Sequence, residues 1–279
     1  MIAIMQGRLL PPVENRIQCF PRGRWQEEFP RAARAGLEAI EWIYDQYGAD
    51  VNPIATDDGS SEILQLSERY GVQVRSLCAD YFMDWPLVRA RPYELDDRAQ
   101  ALVRLLGTCA SLGIERLVLP FVDASRIDTE AELNQVAGLL RDLTPVLEAN
   151  KVELHLETSL PPARFANLLS LIAHPMVRVN YDAGNSASLG YAPRSEFTAY
   201  GEHVGSVHIK DRVLGGSTVP LGQGDADLEE LFASLAAVRY AGDFVLQVAR
   251  GTPGTEVEWA IKNREFVAKQ LLTHGWPWT

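Results

Sequence analysis

The chain has 279 residues, of which 47% are hydrophobic and 23% charged, a composition that excludes a disordered, collagen-like or small disulfide-stabilised protein. It carries 26 lysine and arginine residues against 37 aspartate and glutamate residues, for a net charge of −11. So acidic a chain lacks the basic surface of a phosphate-backbone binder, which disfavours nucleic acid as a partner. The length could hold two domains, but α/β barrels of this size form one.

Eight short β-rich runs alternate with longer helical patterns and begin roughly 25 to 40 residues apart, about the size of one strand–helix unit. The acidic run at residues 128–132 predicts one helix start, and the proline pair at residues 161–162 predicts another. Because eight alternating strands imply a closed parallel sheet, we expect an α/β fold with a single (β/α)8 TIM barrel over residues 1–279. The predicted strands are residues 2–7, 37–43, 73–79, 115–121, 152–157, 177–182, 204–210 and 244–248.

The last four predicted strands direct polar side chains toward one region of the barrel mouth. Alternate residues of a strand share a face, and the aliphatic residues of strand five face the helices, which directs Glu157 inward. The same alternation directs Asp182, His208 and Gln247 inward from strands six, seven and eight. A divalent metal such as manganese or zinc would satisfy these groups, and a hydrogen-bonded polar layer is the alternative. Four such residues at one level favour a metal site.

Four sequence runs resemble the sugar (phosphate) isomerase and epimerase branch of the xylose isomerase-like TIM-barrel superfamily. They are LHLE at residues 154–157, YDAGN at 181–185, VHIKD at 207–211 and PLGQG at 220–224. The resemblance implies that Glu157, Asp182 and His208 bind one divalent metal (manganese, zinc, cobalt or similar), with Gln247 at the fourth ligand position. It further implies a sugar or sugar-phosphate isomerase or epimerase, in which Glu157 removes a proton next to a carbonyl through a metal-stabilised enediolate.

Gln247 departs from the family pattern, which has a glutamate there, and an amide cannot act as a base at neutral pH. The family's epimerases use two metal-bound carboxylates on opposite faces of the substrate. Three alternatives are therefore open. In the first, Glu157 alone catalyses aldose–ketose isomerisation. In the second, another acid such as Glu41, Asp80 or Asp211 replaces the missing base, and in the third the protein binds a sugar without turnover. A metal-dependent lyase, dehydratase or hydrolase on the same scaffold is a further alternative.

Further candidates surround the predicted mouth. Lys210 is a candidate catalytic residue that neutralises the developing enediolate or holds a substrate oxygen, with a salt bridge to Asp211 or Glu157 as the structural alternative. Gly216 and Ser217 lie in a glycine-containing loop whose backbone N–H groups could bind a phosphate, although a plain turn has the same sequence. The other substrate-binding candidates are Arg8, Glu41, Asn185 and Arg250.

Location and partners follow from what the sequence lacks. No apolar run reaches the roughly 20 residues that span a bilayer, and the first residues do not resemble a signal peptide. The cysteines Cys19, Cys78 and Cys109 have no CxxC spacing and are interpreted as reduced thiols of a cytoplasmic protein. We expect a small sugar or sugar phosphate as partner, and no nucleic acid or membrane. The resemblance implies a homodimer or homotetramer. We expect Trp276 and Trp278 to pack against a partner subunit, with packing on the barrel as the alternative.

Overall fold

Eight parallel strands close into a barrel in the computed structural model of the protein, which describes residues 1–276. Every predicted strand is present, and its ends differ by at most two residues from the predicted bounds. The predicted (β/α)8 TIM barrel is therefore confirmed. In chain order the barrel strands are β1 Ile2–Met5, β2 Ala39–Ile43, β3 Gln73–Cys78, β4 Arg116–Phe121, β5 Glu153–Thr158, β6 Val177–Asp182, β7 Val204–Ile209 and β8 Phe244–Leu246.

The strands follow one another around the barrel in chain order, and β8 closes the ring by pairing with β1. Because the ring has eight members, β3 lies diametrically opposite β7. The register aligns Asp182 of β6 with His208 of β7, and Pro120 of β4 with Glu157 of β5. Because the strands are tilted, inward side chains at one level come from positions that shift along successive strands.

Helices surround the barrel, and none within residues 1–276 is long and apolar enough to cross a membrane. A short antiparallel hairpin, Asp211–Arg212 with Thr218–Val219, follows β7. The helices are α1 Glu28–Arg34, α2 Asp57–Tyr70, α3 Tyr81–Asp84, α4 Pro92–Leu112, α5 Glu130–Asn150, α6 Pro162–Ile172, α7 Ala183–Leu189, α8 Pro193–Tyr200, α9 Leu228–Ala237 and α10 Glu256–Thr273.

Local chemistry determines several helix boundaries. Helix α5 begins after Thr129, whose hydroxyl accepts a hydrogen bond from the backbone N–H of Glu132, while the Glu132 carboxylate accepts one from the N–H of Thr129. Helix α6 begins at Pro162, as the proline pair predicts. Helix α4 ends at Gly113, which has a φ of 70°, a left-handed conformation that favours glycine.

The barrel has an apolar outer layer and a polar interior. Aliphatic strand residues such as Leu154 and Val207 are fully buried against the helices, and the three cysteines are buried and unpaired. The barrel interior holds polar side chains that are fully buried, among them Glu41, His155, Ser206 and His208. Since a buried polar group costs free energy unless it is hydrogen-bonded, these residues must satisfy one another or a bound ion.

Glu28 is a buried carboxyl beneath the loop that follows β1. Its Oε1 accepts a hydrogen bond of 2.6 Å from the backbone N–H of Gly7. Gly7 itself has a φ of 81°, and a Cβ at that position would lie 2.9 Å from the carbonyl oxygen of Cys19. Burial raises the pKa of Glu28 from 4.5 to about 8, so at neutral pH the folded protein holds a proton that the unfolded chain has already lost.

Replacing Glu28 by glutamine should remove a pH-dependent loss of stability. Because the folded pKa lies above the unfolded one, the parent protein loses stability as the pH rises from about 4.5 to about 8. Glutamine keeps an oxygen acceptor for Gly7 and does not ionise. We therefore expect the free energy of unfolding of Glu28→Gln, relative to the parent, to rise by about 3 kcal/mol between pH 5.5 and pH 8.5. Urea denaturation at both pH values measures this difference, and a pH-independent difference would contradict it.

Trp276 packs against its own barrel. Its indole N–H donates a hydrogen bond of 3.2 Å to the carbonyl oxygen of Tyr240, and its ring meets that of Phe244 edge-on with 6.0 Å between centroids. This placement corrects the expectation that Trp276 packs against a partner subunit, while Trp278 lies outside the described residues. Assembly into a dimer or tetramer stays a prediction.

Candidate active site

An open cavity of about 290 Å³ lies where the strands end and the strand-to-helix loops begin, the face on which TIM barrels carry active sites. Acidic and basic side chains line it together, so it offers contacts to both cations and anions. Of the predicted site residues, those that line it are Arg8, Glu157, Asn185, Lys210 and Gln247.

Glu157, Asp182 and His208 form a compact group beside this cavity. The Nδ1 atom of His208 lies 3.2 Å from Oε2 of Glu157 and 3.8 Å from Oδ2 of Asp182. One ligand atom from each residue lies within 4.8 Å of the other two, and all three residues are buried. Two carboxylates buried together are costly unless a cation neutralises them. The group therefore has the donor atoms and the spacing to hold a metal ion.

Glu41 orients His208 from β2. Its Oε1 lies 2.6 Å from Nε2 of His208, which directs Nδ1 toward the two carboxylates. Burial opposes ionisation of Glu41, but the adjacent His208 outweighs burial and lowers the pKa of Glu41. A carboxylate behind an imidazole fixes its tautomer and orientation in many metal sites. Glu41 is fully buried and does not reach the cavity, so neither the predicted sugar contact nor a salt bridge with Lys210 is present.

Two asparagines hold the carboxylate of Glu157. The Asn180 amide donates a hydrogen bond of 2.8 Å to Oε2, and the Asn185 amide donates one of 2.7 Å to Oε1. Each carboxylate oxygen has a second lone pair, so Glu157 can still bind a cation or accept a proton. Asn180 was not among the site residues predicted from the sequence, although it shares the inward face of β6 with Asp182.

Lys210 connects the ends of β6 and β8. Its Nζ lies 3.0 Å from Oε1 of Gln247, 3.2 Å from Oδ1 of Asn185 and 3.3 Å from Oδ2 of Asp182. The ion-pair partner of Lys210 is therefore Asp182, and not Asp211 or Glu157, the two partners considered from the sequence. Burial disfavours a charged Asp182, but Lys210 and His208 outweigh burial and lower the pKa of that carboxyl.

Gly216 and Ser217 do not line the cavity, although Arg212 and Thr218 of the same hairpin do. The backbone N–H of Gly216 donates to the carbonyl oxygen of Val213, and the N–H of Val213 donates to that of Ser217. The carbonyl oxygen of Gly216 in turn accepts two hydrogen bonds from Arg212. The loop is thus the turn of a hairpin, and the Gly216 N–H predicted to bind a phosphate is already engaged.

The two predicted substrate-binding arginines have different surroundings. Arg8 lines the cavity, where it also donates to the carbonyl oxygen of Val248 and to the Gln18 side chain. Arg250 lies outside the cavity and ties the end of β8 to the loop after β1. Its guanidinium donates to the carbonyl oxygens of Gly7, Leu10 and Ile17. Arg250 therefore has a structural role in the barrel mouth.

Asp211, one of the acids considered as a replacement base, anchors the chain between the hairpin and α9. It is fully buried. Its Oδ2 accepts hydrogen bonds of 2.8 Å and 2.9 Å from the N–H groups of Gly222 and Gly224, and its Oδ1 accepts one of 3.1 Å from Ala226. Three backbone donors converge on one carboxylate, and Asp211 does not line the cavity, so it anchors the fold and does not face a substrate.

Replacing Asp211 by alanine should therefore lower the free energy of unfolding by about 2 to 3 kcal/mol, because three backbone donors lose a charged acceptor. Thermal or urea denaturation measures this loss. Asp225→Ala is the matched control, since the exposed Asp225 accepts a single hydrogen bond from the N–H of Leu214. We expect the control to cost less than about 1 kcal/mol. Equal stabilities of the two variants would contradict the anchoring role.

The sequence matches the profile of xylose isomerase-like TIM barrels over residues 29–270. The chain belongs to the xylose isomerase-like TIM-barrel family. The resemblance in the four sequence runs is thereby confirmed at the level of the family. In this xylose isomerase-like barrel, the acidic and imidazole side chains of β5, β6 and β7 meet beside one cavity, and a glutamine follows β8.

Individual relatives show the same fold. The chain is similar to the L-ribulose-5-phosphate 3-epimerase of Salmonella paratyphi C, with 23% identity over 273 residues that cover 92% of this chain and 94% of the relative. Its structure is similar to that of the IOLI protein with a bound zinc atom, with a TM-score of 0.77, 15% identity and coverage of 98% of this chain and 99% of the other. It is also similar to D-allulose 3-epimerase from Methylomonas sp. in complex with D-allulose, with a TM-score of 0.73, 15% identity and 96% coverage of both chains.

Proposed function

We propose that the protein is a metal-dependent sugar or sugar-phosphate isomerase or epimerase that transfers a proton on the carbon next to a carbonyl group. The observation that carries the proposal is the setting of Glu157. This carboxylate lines the cavity, is oriented by two amide donors and belongs to a metal-binding group with Asp182 and His208. The similarity to 3-epimerases of L-ribulose 5-phosphate and D-allulose supports a sugar as substrate.

One divalent metal fits the donor set. Glu157, Asp182 and His208 would hold it, and Gln247 would add the oxygen of its amide. Carboxylate, imidazole and amide donors suit manganese, zinc or cobalt, and the zinc-bound structural relative supports a metal in this fold. When bound, such an ion polarises a substrate carbonyl and stabilises the negative charge that develops on its oxygen.

The residues around the metal group have separate tasks in this proposal. Glu157 removes the proton, and Asn180 and Asn185 hold its carboxylate in position for that transfer. Lys210, whose Nζ reaches groups on both β6 and β8, offers a positive charge to the substrate oxygen that becomes negative. Such preorganised charge lowers the barrier most where it faces charge that develops in the transition state.

Basic side chains at the rim of the cavity favour an anionic substrate. Arg8, Arg16 and Arg212 line the cavity together with Lys210. Half of the Arg16 side chain is exposed, and its guanidinium stacks on the ring of Tyr47 at 4.4 Å from the centroid. Because a guanidinium binds phosphate oxygens through paired hydrogen bonds, a sugar phosphate is the favoured substrate class, with Arg8 and Asn185 as further substrate contacts.

We also propose a cellular compartment and binding partners for the protein. The three buried, unpaired cysteines fit a reducing compartment, so we place the protein in the cytoplasm. Its partner in this account is the small substrate alone, apart from further copies of the chain.

A product screen tests the proposed function. The protein is loaded with Mn²⁺, Zn²⁺ or Co²⁺ and incubated with ketopentoses, ketohexoses and their terminal phosphates, including L-ribulose 5-phosphate. We expect a product of unchanged mass with an altered carbonyl position or configuration, and we expect EDTA to abolish its formation until metal is restored. A product that has lost water would indicate a dehydratase, and two smaller fragments would indicate a hydrolase if water was added in the cleavage, or a lyase if it was not. Saturable binding of a sugar without any product would indicate a binding protein.

A further inference from the structure

Asp80 follows β3 and lines the cavity on the side that faces β7 across the barrel. We propose that Asp80 is the second acid–base residue of the site and that it exchanges a proton with the face of the substrate carbon opposite Glu157. This inference rests on the proposed function and makes the reaction an epimerisation. It supplies what Gln247 cannot, because an amide neither gives nor takes a proton at neutral pH.

Asp80 and Glu157 line the same cavity from the ends of β3 and β5. Cys78 pairs with Val118 in the register of β3 and β4, and Pro120 pairs with Glu157 in that of β4 and β5. Continuing the first row by two residues places Asp80 beside Pro120, so Asp80, Pro120 and Glu157 lie in one register row. At about 4.8 Å per strand, the backbones of β3 and β5 lie about 10 Å apart. This separation leaves room for a sugar carbon between the two carboxyl groups.

Asp80 is held by neutral partners only. Its Oδ2 accepts a hydrogen bond of 2.7 Å from the Gln18 amide, and its Oδ1 lies 3.2 Å from Sγ of Cys78. The side chain is half-buried, so a ligand in the cavity can reach it. Because no basic group is hydrogen-bonded to the carboxyl, it is free to hold or release a proton as a substrate requires.

The other aspartates of the cavity are either hydrogen-bonded to the backbone or exposed to solvent. The carboxylate of Asp45 accepts hydrogen bonds of 2.9 Å and 2.7 Å from the backbone N–H groups of Phe20 and Gly48, so it holds the backbone of two loops in place. Asp84 and Asp123 are exposed at the rim. Besides Glu157, Asp80 is therefore the cavity acid that is both sheltered from solvent and uncommitted to the backbone.

The surroundings of Asp80 also suit proton exchange near neutral pH. The charged groups that face it are Arg8, Asp45 and Glu157. Burial raises the pKa of Asp80 to about 6, although the hydrogen bonds from Gln18 and Cys78 oppose the rise. A carboxyl with such a pKa is present in both protonation states at physiological pH, as a group that alternates between acid and base must be.

The proton transfer balances without any further reactant. The Glu157 carboxylate takes the hydrogen from the carbon next to the carbonyl, and the electron pair of the broken C–H bond enters an enediolate. The protonated Asp80 then delivers its proton to the opposite face of the same carbon, where a new C–H bond forms as the carbonyl is restored. The carbon is inverted, Glu157 is left protonated and Asp80 ionised, and exchange with solvent returns both groups to their starting states. The reverse reaction uses the same two groups in the opposite order.

Deuterium exchange in two variants tests the assignment. The metal-loaded parent, Asp80→Asn and Glu157→Gln are each incubated in D2O with L-ribulose 5-phosphate and, separately, with its 3-epimer L-xylulose 5-phosphate, or with the epimer pair that the product screen identifies. Proton NMR follows both the loss of the C3 hydrogen and the appearance of the other epimer. Asp84→Asn, which removes an exposed acid of the same cavity, is the matched control. Asp80→Glu tests whether a carboxyl at this position is what matters.

We expect Asp80→Asn and Glu157→Gln to lower the rate of inversion by at least about 100-fold. Each variant should still exchange the C3 hydrogen of one epimer with solvent while the configuration at C3 is kept. The two variants should exchange opposite epimers, because each retains the acid on a different face of the carbon. Asp80→Glu should recover inversion in part, and Asp84→Asn should match the parent. The residual exchange shows that each variant is folded.

Two results would overturn the inference while the proposed function stands: inversion by Asp80→Asn within about threefold of the parent rate, or exchange by both variants with the same epimer. A parent that exchanges no hydrogen with any ketose would instead contradict the proposed function, and the inference with it.

Discussion

Glu157→Gln is expected to lower kcat/KM at least about a thousandfold while the fold and the cavity stay intact. Glutamine keeps the size of the side chain and one oxygen, but its amide cannot take a proton from carbon. Loss of a general base alone costs about 10² to 10⁴ in rate, and a weakened metal group adds to this. Initial rates at saturating metal, combined with a circular dichroism spectrum, measure the effect.

Glu153→Gln is the matched control for this prediction. Glu153 lies on β5, at the opposite end of the strand, and is hydrogen-bonded to Nε2 of His155 at 2.8 Å. It takes no part in the metal group or the cavity. We expect the control to retain activity within about threefold of the parent. Full turnover by Glu157→Gln would remove Glu157 from the mechanism.

The second large effect is expected on metal binding. Asp182→Asn removes one of the two carboxylates that face Nδ1 of His208, and an amide oxygen is a weaker ligand for a divalent ion. We expect the affinity for Mn²⁺ or Zn²⁺ to fall at least about 100-fold, a larger loss than the 10- to 100-fold that outer-shell partners of a metal site typically cause. Isothermal titration calorimetry of the metal-free protein measures the affinity directly, independently of any substrate.

Asparagine is chosen at this position because Asp182 also begins α7. Its Oδ1 accepts a hydrogen bond of 2.7 Å from the N–H of Asn185, and asparagine forms such a cap equally well. Asp227→Asn is the matched control, since Asp227 caps α9 by accepting a hydrogen bond of 3.0 Å from the N–H of Glu230 outside the site. Unchanged metal affinity in Asp182→Asn would contradict the proposed metal group.

The barrel was predictable from the sequence because its signals are local. The alternation of Leu154 and Leu156 with His155 and Glu157 directs side chains to opposite faces of β5, and a parallel sheet needs that alternation to separate its helix side from its interior. The same argument brings together Glu157, Asp182 and His208, since the carboxyl ends of parallel strands meet at one end of a barrel.

Contacts across the barrel were not predictable, because they depend on strand tilt and register as well as on alternation. The hydrogen bond between Glu41 and His208 joins β2 to β7, and the ion pair of Lys210 with Asp182 depends on how a side chain beyond the end of β7 bends toward β6. The turn at Gly216 was not predictable for a different reason. Glycines there form a hairpin turn, and composition alone does not distinguish a turn from an anion-binding loop.

The central claim is that the protein moves a proton on the carbon next to a carbonyl, with Glu157 as the base. The most direct measurement is proton NMR in D2O of the metal-loaded parent protein with the ketose that it converts. We expect the signal of that carbon-bound hydrogen to disappear as product forms, and we expect deuterium at the same carbon in the product. A product that retains its original hydrogen throughout the conversion would contradict the account.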